Sequence, residues 1–276
     1  MTILEPANVQ IMGVPAPTIA LTILLAALAF FTYVMWKRLE LLKKCAPDPR
    51  FSNVSERIRM MVLYGFGQLR QPRYLGAGIL HILLFAGFMI LSLRSLTLIG
   101  RGFSADFHLP LMTGPIAFGY DVIKDYTVLV VLGVCLVAIA RRAIWQPARY
   151  AHPGSQGHEG EAYIILGLVS ALMLTDMIYD GSAFMAEETR PPSYFFPASA
   201  IAAAFMKSAT PDMLNQLHIM GYWAHILVFF GLLNYLPISK HFHVLTAIPN
   251  VYFANLNHGA IKPVKYGVKD WMELEQ

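Results

Sequence analysis

Long apolar runs alternate with short polar segments along this chain, and five of the runs are long enough to cross a bilayer as helices. They lie near 17–38, 75–99, 124–145, 161–181 and 215–240. The first ends in Trp36, Lys37 and Arg38, a pairing of aromatic and basic residues that suits a membrane interface. Two further elements are predicted outside the spans. Residues 52–70 mix basic and apolar positions behind a serine cap signal and read as an amphipathic surface helix, for lipid contact or for docking a soluble partner. Ser199 to Met206 is apolar but too short to span, which fits a re-entrant or interfacial helix. The predicted fold is all-α: a five-helix integral membrane bundle over 17–249, an external tail at 1–16 and a mixed tail at 250–276 for partner docking.

Composition agrees. The chain has 276 residues, 56% hydrophobic and only 14% charged, with mean hydropathy +0.51. A soluble domain carries about 25% charged residues. Sixteen basic residues fall in three segments that the five spans put on one side: 37–73, the connection after the third span, and the region from Lys240 onward. Only Arg101, Lys124, Arg190 and Lys207 fall on the other, with Arg94 inside the second span. By the positive-inside rule the basic side is cytoplasmic, so the N-terminus is expected outside and the C-terminus inside, in a cytoplasmic membrane. The net charge of +4 follows this topology and is no nucleic-acid signal. The N-terminal run lacks a basic n-region and a small-residue cleavage site, so it does not read as a cleaved signal. Cys45 and Cys135 form no CxxC or CxxCH, which argues against a cysteine-ligated iron–sulfur cluster or covalent haem in this chain.

The chemistry rests on histidines. His225 sits inside the last apolar run, with His241 and His243 at its far end. His225 and His243 are 18 residues apart, which on one continuous helix is five full turns and about 27 Å. Position 241 would then be rotated about 160° away. That geometry depends on the helix running through Pro237. His81 lies two turns into the second span. Imidazoles in lipid mark a site by default, and haem, which takes neutral imidazole nitrogens in a dry pocket, is the expected occupant.

His81 pairs by depth with His243 or His241. A rival arrangement puts His81 with His225 in one haem nearer mid-membrane, and a second, outer haem would use His225 with a partner elsewhere. Arg94 and Arg73 on the second span, and Lys240 on the fifth, are candidates for the haem propionates. Asp176, Tyr179 and Asp180, near the external end of the fourth span, offer ionisable groups for quinone chemistry. No catalytic nucleophile stands out. His152 and His158, in a Gly- and Pro-rich link, read as solvated.

The H-x17-H spacing of His225 and His243, with Pro237 between them and Ile-Ser-Lys following, is similar to the last span of the respiratory nitrate reductase gamma subunit. That family is a five-helix cytochrome b, N-out and C-in. Its second span carries two ligands ten residues apart; here the first matches His81, but the second falls on Leu91. A closer likeness, over roughly 55–270, is to the membrane domains of iron–sulfur reductases related to heterodisulfide reductase. It rests on LHILLFAGF at 80–88, WAHILVFF at 223–230 and PISKHFHVLTAIPNVYF at 237–253. The resemblance implies haem b passing electrons between a cytoplasmic iron–sulfur subunit or domain and membrane quinone, as the membrane part of a quinone-linked oxidoreductase. In such proteins a ferredoxin-like domain commonly follows a tail like the one here. Two other classes stay open: a proton-coupled transporter or channel, and a non-redox anchor for a soluble reductase.

Overall fold

The computed structural model describes residues 3–145, 159–187 and 191–256, so His152, His158 and the lysines at 262, 265 and 269 lie outside the described residues. Five long helices form the bundle: α1 (Ala16–Glu40), α3 (Leu75–Arg101), α4 (Gly114–Ala140), α5 (Glu159–Ala186) and α7 (Pro211–Tyr235). Three short ones, α2 (Val54–Met60), α6 (Pro197–Phe205) and α8 (His243–Tyr252), flank its ends. With their terminal turns, the five long elements run Ala16–Lys44, Leu75–Arg101, Gly114–Trp145, Gly160–Ala186 and Pro211–Ile238, each long and apolar enough to cross a membrane. The chain is a multi-pass helical membrane protein.

α4 starts ten residues before the expected position 124, with Pro115 in its first turn. Lys124 is therefore inside the span, 3% exposed, instead of at its external edge. A lysine can stay there because carboxylates from α5 meet its ammonium. α6 packs on α5 where Gly181 leaves room: a Cβ there would come within 2.5 Å of Ala202 Cβ. Its N-terminus is closed by Asp125 of α4, which accepts from Ala198 N–H at 2.6 Å and from Ser199 Oγ at 2.6 Å.

α7 does not continue through Pro237. It stops at Tyr235, turns through Leu236–Ile238, passes an extended Ser239 and a second tight turn over Lys240–Phe242, then restarts as α8 at His243. Proline supplies no N–H for the helical ladder and crowds the preceding turn. Ser239 accepts from His241 N–H at 3.1 Å, and Glu161 of α5 accepts from Lys240 N–H at 3.0 Å, so the break has its own partners. The single-face relation of His225 and His243 expected for an unbroken helix does not hold.

α2 forms at the same end, but without the serine cap: its N-cap is Asn53, in the left-handed region at φ 56, and makes no side-chain bond. It continues through a π-helical stretch, Met61–Phe66, and packs on α8, where Gly65 faces Ile248. Buried Arg57 donates to the carbonyls of Tyr252 and Ala254, both at 2.9 Å, and Arg50 donates to that of Phe253 at 2.8 Å. These cations satisfy the open carbonyl end of α8. α2 and α8 thus roof one end of the bundle, the α8 end, while the N-terminal tail and α6 mark the other; Leu4 N–H reaches Asn215 of α7 there at 2.8 Å.

A close approach of two backbones sets up the site. At Gly221 of α7 a Cβ would lie 2.9 Å from the backbone nitrogen of Tyr179 on α5, so only glycine lets the two helices touch. His218 and His225, about one turn to either side, are thereby brought against α5. We expect Gly221→Val to wedge α5 from α7 and to cost about 1–3 kcal/mol of overpacking strain. A lowered melting midpoint in detergent is the readout; an unchanged midpoint would count against the close contact.

Candidate functional site

A cavity of about 690 Å³ lies between α3, α4, α5 and α7 and is roofed by α2 and α8. Its volume is within the range of about 300–1,000 Å³ usual for cofactor and ligand sites. Its walls are mostly apolar, and histidines stand at both ends. His81 (α3), His241 and His243 line the α8 end. His225, Ser95, Arg94 and Asp176 line the deep end.

At the α8 end, His81 and His243 come from different elements and line the same cavity. His81 makes no hydrogen bond among the described residues. His243 Nδ1 lies 3.4 Å from the carbonyl of Lys240, which assigns Nδ1 as the donor and leaves the lone pair on Nε2. His241 is half-buried, and its Nδ1 is buried without a partner. Burial, reinforced by neighbouring His243 and Lys240, pushes the His241 imidazole below its ordinary value and keeps it neutral. Two imidazoles and an unsatisfied third, facing an apolar space, fit a haem-type ligand set. Arg141 and Arg142 also line this end. In the sequence they are two of the basic residues that follow the third span, and their position at its end was the available signal.

The deep end is at a different level. His225 Nε2 is 3.4 Å from Ser95 Oγ, and its Nδ1 is 3.3 Å from Thr175 Oγ1. Ser95 is 14 residues beyond His81 on the same helix, about 21 Å along its axis. That separation is too great for His81 and His225 to be the two axial ligands of one porphyrin, so the rival pairing fails on depth.

Behind the deep end lies a buried ion network. Arg94 Nε donates to Asp176 at 2.9 Å, and its Nη2 donates to Asp180. Lys124 Nζ bonds Asp180 and is 3.6 Å from Asp176. Arg94, Lys124 and Asp176 are each at most 6% exposed. Arg94 therefore neither snorkels to an interface nor offers a free guanidinium to a propionate. Arg73 is exposed, at the turn before α3, and does not line the cavity. Tyr179 and Asp180 do not line it either. Tyr179 stacks on His218 at a centroid distance of 3.9 Å and accepts from Arg101 at 3.3 Å. Of the three residues first considered for quinone, only Asp176 reaches the cavity.

No protein-family model matches the chain, and no solved structure matches it. Two curated proteins do. The "Probable iron-sulfur-binding oxidoreductase FadF" of Bacillus subtilis (strain 168) is 23% identical over 227 residues, covering 82% of this chain and 31% of that protein. The "EtfAB:quinone oxidoreductase" of Syntrophomonas wolfei subsp. wolfei is 25% identical over 279 residues, covering 96% of this chain and 37% of that protein. The chain thus spans about a third of the length of the curated relatives it matches.

The ion network makes a direct prediction. Removing one partner leaves a buried charge unpaired and costs about 3–5 kcal/mol, whereas removing both can be nearly neutral. Arg94→Leu should therefore lower stability in chemical denaturation, and adding Asp176→Leu should recover part of the loss. An additive double variant would rule out the coupling.

Proposed function

We propose that this chain is a haem b membrane subunit or segment that passes electrons between an iron–sulfur partner and membrane quinone. The observation that carries the proposal is that His81 and His243, from separate helices, line one largely apolar cavity. The printed names of the two relatives, one iron–sulfur-binding and one a quinone oxidoreductase, support the redox class. The likeness to the nitrate reductase gamma subunit rests on the His225–His243 spacing, Pro237 and the Ile-Ser-Lys that follows it.

Haem, when bound, supplies a one-electron carrier. The chain's residues do the rest. His81 and His243 would hold the haem through their imidazole nitrogens, with the Lys240 carbonyl orienting the second ring. Leu84, Phe85, Leu166 and Leu232 exclude water from the space between them. Arg141 and Arg142, at the mouth, face the carboxylates of a bound porphyrin in place of Arg73. His241 lines the same end of the cavity.

Charge supports the orientation. Among the described residues, Lys37, Arg38, Arg50, Arg57, Arg70, Arg141 and Lys240 belong to segments at the α8 end, and Arg38 lies over the Phe242 ring at 5.2 Å. We take this end as cytoplasmic by the positive-inside rule, which places the N-terminus outside. The roof made by α2 and α8 is then the surface offered to the iron–sulfur partner, close to the haem ligands.

The purified chain, reduced with dithionite, should show a b-type absorption band, and a pyridine haemochrome assay should give one haem per chain. His81→Ala and His243→Ala should each abolish the band, while His225→Ala should leave it. A featureless spectrum of the native protein, or loss of haem only with His225→Ala, defeats the assignment.

A further inference from the structure

The cavity is longer than one porphyrin needs. Its deep end lies about 21 Å from His81 and carries a different kind of chemistry. We propose that this deep end is the binding site for a quinone headgroup, held by Ser95 and His225. The inference rests on the quinone-linked reading above and gives it a place in the chain.

Hydrogen bonding fixes the ring state of His225. Thr175 Oγ1 gives its single proton back to its own helix, at the carbonyls of Ala171 (2.8 Å) and Leu172 (3.0 Å). Toward His225 it can only accept, so Nδ1 carries the proton and Nε2 presents a lone pair. Ser95 Oγ, 3.4 Å from Nε2, makes no other hydrogen bond that fixes its proton. The pair therefore offers one acceptor and one donor side by side. A quinol hydroxyl can donate to His225 Nε2, and a quinone carbonyl can accept from Ser95 Oγ. Both redox forms find a partner without rearrangement of the helices.

The same contact argues against iron. A metal–imidazole bond is about 2 Å long. With Ser95 Oγ 3.4 Å from Nε2, a porphyrin ring on His225 would collide with α3. Leu91, one turn earlier on α3, supplies no axial ligand, and it lines the cavity.

Access points to a lipid-soluble ligand. Phe88 and Met89 line the cavity at mid-helix and are 47% and 40% exposed on the outer face of α3. In a membrane-spanning helix that face meets lipid. A molecule dissolved in the bilayer can enter sideways and place its polar head at Ser95 and His225. Its apolar tail then lies along Phe88, Phe229 and Val169.

The test uses the full chain, purified in nanodiscs, and the quinone mimic heptyl-hydroxyquinoline N-oxide, whose fluorescence is quenched on binding. One site per native chain is expected. Ser95→Ala and His225→Leu should each weaken binding about tenfold, the worth of one buried hydrogen bond to a ligand. Haem content and melting midpoint, read on the same samples, report whether each variant is folded. Leu91→Trp, which fills the lobe from α3 without touching either polar group, should also displace the probe. Absence of binding to native protein overturns the site, as does binding indifferent to all three substitutions. A second haem per chain that disappears with His225→Leu overturns it too. If no haem is found yet the probe binds and is lost in these variants, the quinone site stands and the haem assignment fails.

Discussion

A guanidinium and an ammonium enclosed among membrane helices have no water to stabilise them, so they keep their charges only where carboxylates meet them. Arg94 of α3 and Lys124 of α4 meet two on α5, Asp176 and Asp180, one helical turn apart. Buried ion pairs add little net stability over good apolar packing. What they fix here is register, because sliding α3 or α4 by one residue against α5 would separate every partner at once. Asp125 extends the tie to α6 through that helix's N-terminal amides. With register set, Ser95 is held opposite His225, and the deep end of the cavity has its polar contacts.

A second constraint acts on the other helix. Gly221 lets α7 lie directly on α5, and the imidazoles on either side of it reach α5 acceptors: His218 the carbonyl of Tyr179, His225 the hydroxyl of Thr175. Farther along, Pro237 ends α7 and lets the chain turn so that α8 lies across the bundle. The break returns His243 to the cavity by a route different from helical periodicity. An unbroken helix would have carried it away along the axis; after the turn it lines the same cavity as His81.

The spans and their approximate bounds were legible because hydrophobicity over about 20 residues is a strong, local signal. His81, His225, His241 and His243 stood out for the same reason, as polar rings in apolar runs, and all four line one cavity. Less local facts were not legible. Lys124 read as an external charge because nothing in its own neighbourhood announces partners 52 and 56 residues away. Asp176 and Asp180 showed the right helical spacing, but spacing alone cannot tell a ligand site from a structural tie. Arg73 and Arg141 are equally basic and equally near a span end, and only packing decides that Arg141 lines the cavity and Arg73 does not. The serine cap before α2 lost to Asn53 because Arg57 draws the Ser52 carbonyl into its own network.

The interrupted fifth span bears on the carrier alternative. Broken helices in transporters expose backbone groups that bind the cargo. Here several groups at the break are engaged within the chain: Ser239 caps His241, Glu161 takes the Lys240 amide, and Tyr235 O accepts from Ser239 N–H at 3.1 Å. Movement of α8 would also strip Arg57 and Arg50 from its terminal carbonyls, leaving Arg57 to the Ser52 carbonyl and Arg50 to Asp48. The break is therefore built to stay put, which is ill suited to a gate that must open and close.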